Sequence, residues 1–223
     1  MNAAAIASMI AKGVLLGLGA AAPIGPVNVE IARRSLRGGF RAGFLLGCGA
    51  VTIDVTYAIL TSLGVRPLLS RPRVMATLGI AGAAVLVYLG VMCFVSAARQ
   101  WRTTTANADP EKAKPANPDP EKEKPTERHY VTGLAMTSLN PMTLAFWCVV
   151  VPGMAGQWSA NPVRDLPWVC VGVFCGAISW VITFAGTMSW VGRRGKRATW
   201  LIADLAGGTM LLAFAAYALY RVL

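Results

Sequence analysis

Charge is scarce in this chain of 223 residues, where Asp, Glu, Lys and Arg together make up 14%, against about a quarter in an ordinary soluble domain. Acidic residues number only 10, and His129 is the single histidine. The five cysteines, Cys48, Cys93, Cys148, Cys170 and Cys175, form no Cys-x-x-Cys pair and no Cys/His ligand spacing. All five fall in apolar stretches and read as buried small hydrophobes. No phosphate-cradling loop and no nucleophile–base–acid set is visible. These absences argue against a cytosolic enzyme, a disulfide-stapled secreted module and a disordered tail. No metal ion and no cofactor is expected.

What the chain has in quantity is apolar residue, 55% of the total. Its formal charge of +11 would suggest nucleic-acid binding in a soluble protein. Here the apolar content points first to a membrane protein, whose loops gather Lys and Arg, and no nucleic-acid partner is needed. A bilayer core needs roughly 20 apolar residues per helix. Six stretches meet that scale: Ala3–Ile31, Ala42–Gly64, Val74–Ala97, Tyr130–Pro152, Pro167–Val191 and Trp200–Tyr220. A signal peptide is the alternative for the first, since Ala20-Ala21-Ala22 imitates a cleavage site. It lacks a positive leading region, and Lys12 interrupts its apolar stretch.

Residues 99–129 are of a different kind. Asp109-Pro110-Glu111-Lys112 and Asp119-Pro120-Glu121-Lys122 lie in a segment with no apolar face to bury, which predicts a disordered linker. It separates residues 1–98 from residues 130–223. Fifteen of the 21 basic residues fall in the first, third and fifth loops. The positive-inside rule then places those loops, the linker included, in the cytoplasm and both termini outside. The Arg clusters at the cytoplasmic span ends would meet anionic lipid.

The two halves resemble each other. Cys48-Gly49-Ala50-Val51-Thr52 reappears as Cys175-Gly176-Ala177-Ile178-Ser179, and Ile80-Ala81-Gly82 as Leu205-Ala206-Gly207. A duplicated unit of three spans must insert its second copy from the opposite side. The expected fold is therefore all-α and integral to the membrane, with six transmembrane helices as two inverted three-helix repeats. Such repeats belong mostly to secondary transporters, whose sites lie near the midplane on broken helices. Breaks are present in corresponding spans. The first has Pro23-Ile24-Gly25-Pro26-Val27-Asn28 and the fourth Leu139-Asn140-Pro141. Proline removes a helical hydrogen bond, and the freed groups survive at depth only against protein or a water-filled cavity. A half-helix starting at each break presents orphan N–H groups and partial positive charge, a cradle for a carboxylate. Gly25, Pro26, Asn28, Asn140 and Pro141 are thus candidate substrate-binding residues; two kinks that merely shape packing are the alternative.

Asp54 lies halfway along the second span, where a carboxylate is a functional candidate by default. Its helical face reads Gly43, Gly47, Ala50, Asp54, Tyr57 and Thr61, small residues that turn it toward the bundle. It is a candidate proton carrier or ligand for an ammonium group, with a buried hydrogen-bonding role as the alternative. Tyr57, one turn on, joins the substrate-binding candidates. Glu30 either binds a cation or proton or pairs with Arg33 and Arg34 at the i+3 and i+4 positions. Asp204, near the inner end of the last span, is expected in a solvated or capping role, and Trp147 as either packing or cavity wall.

The run Pro23-Ile24-Gly25-Pro26-Val27-Asn28-Val29-Glu30, with Arg33-Arg34, Gly38-Gly39-Phe40-Arg41-Ala42-Gly43 and Asp54, resembles the lysine exporter (LysE/RhtB) family. So do Gly133-Leu134, Leu139-Asn140-Pro141-Met142-Thr143 and Pro152 in the second half. The resemblance covers the chain apart from the linker. It implies a multi-pass protein of the bacterial inner membrane that exports amino acids or related small molecules, with six spans and proton coupling. Ile24 and Val27 depart from the Pro-Gly-Pro-Asn of many such exporters, which bears on substrate more than on fold.

The function expected is export of an amino acid or similar small zwitterion, with protons as the coupling partner. A homodimer is compatible with the sequence. A divalent-cation exporter is one alternative, disfavoured by the lack of an acidic cluster. A membrane thiol–disulfide electron carrier is another, and it would want a cysteine beside each broken-helix proline.

Overall fold

Proline and glycine decide where the first helices stop and start. The computed structural model describes residues 3–23, 25–63, 72–106, 126–140, 142–148, 162–194 and 197–222, and its regular elements are all helices. Helix α1 (Ala3–Ala21) ends just short of Ala22-Pro23, because the residue before a proline is pushed out of helical backbone. Helix α2 (Pro26–Gly38) opens with Pro26 at its first position, where a missing N–H costs nothing and the fixed φ suits the turn. At its far end Gly39 has φ +81°, a left-handed value that glycine adopts without strain. Helix α3 (Phe40–Ser62) begins on the next residue. The resulting hairpin closes tightly, since a Cβ on Gly43 would strike the Ser35 side chain and the Ile31 carbonyl.

Helices α4 (Pro72–Ala106), α5 (Thr126–Ser138), α6 (residues 142–148), α7 (Pro162–Arg194) and α8 (Arg197–Val222) follow. Both ends of the segment expected to be a linker are therefore helical, and residues 107–125 lie outside the described residues. So does Pro141. Among the described residues, four stretches are long and apolar enough to cross a membrane: Ala3–Ala21, Phe40–Ser62, Ile80–Ala98 and Arg164–Arg194. Ile202–Tyr217 is a shorter apolar helix. The described part of the expected fourth span is divided between α5 and α6.

The helices meet through glycines, as helices do when close backbone approach replaces a hydrophobic driving force. α1 lies along α7, where a Cβ on Gly13 or Gly17 would hit the Val169 or Val173 carbonyl. From the other side, Gly172 and Gly176 abut the carbonyls of Ile10 and Val14. α5 lies along α3 in the same manner, with Gly133 on the Leu46 carbonyl and Gly49 on that of Tyr130. α4 pairs with α8 around Gly90 and Gly208, and Gly47 of α3 seats Val181 of α7. Leu15, Ile80, Tyr88, Phe174, Ile182 and Ile202 remain exposed on the outside, a surface suited to hydrocarbon and costly in water.

Candidate functional site

The first helix break is held open by a side chain two residues into α2. Asn28 Nδ2 donates to the carbonyls of Ala21 and Pro23, each at 2.8 Å. Those carbonyls belong to the end of α1 and the turn after it, which the helix can no longer satisfy. The remaining oxygen of the amide, Oδ1, accepts from Trp180 Nε1 at 3.4 Å. Gly25, the cap of α2, offers no side-chain hydrogen bond to the first turn. The N–H groups there are left facing forward with the positive end of the helix dipole.

The second break is built differently. Tyr57 Oη on α3 donates to the Ser138 carbonyl at 2.7 Å, taking up the end of α5. Asn140 Oδ1 accepts the Met142 N–H at 3.0 Å and so caps α6, as asparagine does before a helix start. The Asn140 N–H in turn reaches the Thr137 carbonyl at 3.2 Å.

Asp54 stands between the breaks. It is buried, and its Oδ1 accepts from the Trp147 indole at 3.0 Å. Trp147 on α6 is fully enclosed by Leu16, Tyr57, Leu144 and Val173, so the donor cannot swing away from the carboxylate. A cavity of about 70 Å³ opens beside this pair, lined among others by Gly25, Asn28, Asp54, Thr137, Asn140 and Trp180. That is room for about two waters at their volume in the liquid. Among the described residues, Asp54 is the one charged side chain on its wall.

The expected site residues thus separate. Gly25, Asn28, Asp54 and Asn140 come together on the cavity, and Pro26 is buried at the start of α2 beside it. Tyr57 stands behind the wall and fixes the second break. Glu30 faces elsewhere. It is fully buried, held by Arg33 through Nε at 2.8 Å and Nη2 at 2.9 Å, and by Arg34 Nε at 2.7 Å. Arg34 Nη1 also lies 2.8 Å from His129 Nδ1 on α5. Arg33 Nη1 continues to Asp204 Oδ1 at 3.3 Å, and Arg37 bonds both Asp204 and Ser96. The solvated or capping role expected for Asp204 is overturned: the residue is fully buried and paired with cations of α2. Local spacing revealed none of these distant partners. Trp180, a mid-span aromatic that reads as packing more than as cavity wall, lies on the wall; Thr137 and Thr143 were missed, although Thr137 sits one turn before Asn140 and could have been found from the break.

A family model described as LysE type translocator matches residues 18–222, bearing out the resemblance seen in the paired proline motifs. The chain is 26% identical over 211 residues to the "Putative amino acid efflux protein YcgF" of Bacillus subtilis, with 93% of each chain covered. It is 28% identical over 197 residues to the "Chemotactic transduction protein ChpE" of Pseudomonas aeruginosa, covering 87% of this chain and 89% of that one. No solved structure matches it. The match spans both breaks, the buried carboxylate and the apolar helices after α1: this is a multi-pass membrane transport protein, and the chain belongs to the LysE type translocator family.

Proposed function

We propose that the protein is a secondary transporter that exports amino acids or related small zwitterionic metabolites from the cytoplasm by proton antiport. One observation carries this: helix breaks from both halves of the chain and a buried carboxylate line a single cavity. The first turn of α2 offers N–H groups and partial positive charge to a substrate carboxylate, and Asn140 at the second break stands on the facing wall. Asp54 exchanges a proton or meets the substrate ammonium. The part of Glu30 in coupling runs through its arginines, since both its oxygens are engaged by them.

Two inverted repeats of three spans give this site its two sides. The first span is α1 with α2, and the fourth begins as α5 with α6. The glycine seams support the repeat. Gly49 and Gly176 hold the same place in the duplicated Cys-Gly-Ala motif, and each seats a backbone carbonyl of the other half's first helix. Rocking of the halves about these seams would expose the cavity to either side in turn. The excess of Lys and Arg in odd loops puts residues 99–129 in the cytoplasm and both termini outside, with the Arg clusters against anionic lipid. On that orientation the Glu30–Arg33–Arg34–Asp204 cluster closes the cytoplasmic end. Uptake of labelled amino acids into proteoliposomes under an imposed pH gradient tests the proposal. Wild-type protein accumulates at least one amino acid, and accumulation that ignores the gradient would refute proton antiport.

A further inference from the structure

We infer that the contact between Arg34 and His129 is a proton-sensitive latch on the cytoplasmic gate, so that a more acidic cytoplasm speeds transport. The inference rests on the transport reading and the orientation proposed above. Rocking requires the bonds between the two halves to part on the side that opens. At the cytoplasmic end α2, in the first half, reaches the second half through Arg33 and Arg37 to Asp204 on α8, and through Arg34 to His129 on α5. Arg34 and His129 are each 3% exposed, so water does not stand in for their bond while the gate is shut.

The contact fixes the state of the ring. A guanidinium has only N–H groups to offer and keeps its charge at any working pH. His129 Nδ1, 2.8 Å from Arg34 Nη1, must therefore accept, which leaves the ring neutral with its hydrogen on Nε2. A proton on Nδ1 removes the acceptor and sets two cations face to face, where burial leaves their repulsion poorly screened. Both effects favour parting of α2 from α5. The open gate thus takes up the proton more readily than the closed one, and the proton in turn favours the open gate.

Imidazole is also the side chain of this cluster that ordinarily titrates between pH 5 and 8. Helices α2, α3 and α4 pack on α5. From α2, Arg34 meets the ring with Glu30 and Arg33 behind it, and Glu30 already spends both oxygens on the two arginines. On α3, Arg41 is exposed and Cys48 half-buried, and on α4 Cys93 is buried. The neighbours of His129 on α5 itself, Glu127 and Arg128, are exposed, and Tyr130 bonds Thr52.

Exchange of labelled amino acids across proteoliposomes, with the same pH on both sides, is followed from about pH 8 to about pH 6 for wild type and His129→Gln. The glutamine amide can accept from Arg34 but takes no proton. Both proteins carry Asp54, so the ratio of their rates cancels its titration. That ratio rises about tenfold in favour of wild type as the pH falls, the change expected when a bond to a charged group is lost. His129→Asn, with the same chemistry on a shorter stem, serves the comparison if the glutamine variant does not fold. Because His129 is the single histidine, isotope-labelled histidine in wild-type protein without a histidine tag reads the ring directly by NMR. The neutral Nε2–H tautomer is expected at about pH 7.5. A ring protonated on Nδ1 at that pH, or a wild-type profile parallel to that of the amide variant, overturns the latch while leaving export intact. Wild-type protein that exchanges no amino acid at any pH removes the transport proposal and the latch with it.

Discussion

Arg33 and Asp204 stand 171 positions apart in the chain, yet Nη1 of one lies 3.3 Å from Oδ1 of the other in a buried ion pair. The contact ties α2, which starts at the first helix break, to the last helix of the protein. It belongs to a cluster that also takes in Glu30, Arg34, Arg37 and His129, each at most 5% exposed. Breaking a buried pair by removing one partner leaves an uncompensated charge, whereas replacing the whole set with apolar residues does not. Asp204→Asn is therefore expected to destabilise the protein by about 3 kcal/mol or more. The triple substitution Arg33→Met, Arg37→Met, Asp204→Leu should recover much of that loss. Melting of the purified protein in detergent decides it: equal melting temperatures for wild type and Asp204→Asn would contradict the burial argument.

Asn28 bonds two carbonyls with its amide hydrogens, so charge at this position matters more than volume. Asn28→Ala loses both of these and the longer bond from Trp180, a cost of about 1–3 kcal/mol. Asn28→Asp keeps the shape but turns a donor into an acceptor and points a carboxylate at the carbonyls of Ala21 and Pro23. It is expected to be the worse of the two despite being nearly isosteric. Thermal unfolding of both variants provides the check, and an Asp variant as stable as the Ala variant would show that the break is held by something else.

The breaks themselves were legible because proline cannot donate to a helix and glycine yields it a turn; Pro26 and Asn140–Pro141 mark them without any tertiary information. Asp54 was legible too, since a carboxylate amid small apolar residues has few explanations. The holding bonds were not. Asn28 reads as a substrate ligand in sequence because nothing in the pattern says that its amide reaches back to Ala21. Tyr57 reads the same way, though its hydroxyl goes to Ser138, 81 residues away. For Glu30 the i+3 and i+4 spacing offered ion pairing as one of two readings, and the helix realises it with both arginines. The burial of Asp204 depends on cations of α2, and periodicity along α8 contains no trace of them.

Glycine substitutions separate seam from surface. A Cβ on Gly176 would collide with the Val14 carbonyl, and one on Gly49 with that of Tyr130. Backbone cannot yield as a flexible side chain does, so Gly176→Ala and Gly49→Ala should each cost about 1–3 kcal/mol and by similar amounts, as their matching positions in the repeat imply. Gly186, on the same helix as Gly176, has nothing within 4 Å of its would-be Cβ. Gly186→Ala should be neutral or stabilising by up to about 1 kcal/mol. Chemical or thermal denaturation of the three variants distinguishes them, and equal effects at all three positions would mean that the seams are not closely packed.

Asp54 and Trp147 allow the coupling role to be told apart from a structural one. Asp54→Asn keeps a side-chain oxygen able to accept from the indole, so the 3.0 Å bond and the packing around it can persist. What it removes is the proton that a carboxylate can carry. On the coupling hypothesis, substrate exchange across the membrane without a gradient survives in Asp54→Asn, while accumulation driven by the pH gradient falls to background. Trp147→Phe makes the opposite change: the carboxylate stays and its donor is lost, which costs about 1.5–3 kcal/mol for a charged acceptor. That variant keeps its response to the gradient but with altered pH dependence and lower stability. Both fluxes are measurable in the same proteoliposomes. If Asp54→Asn loses exchange and accumulation to the same degree, the carboxylate serves the structure of the cavity and the proton must be carried elsewhere.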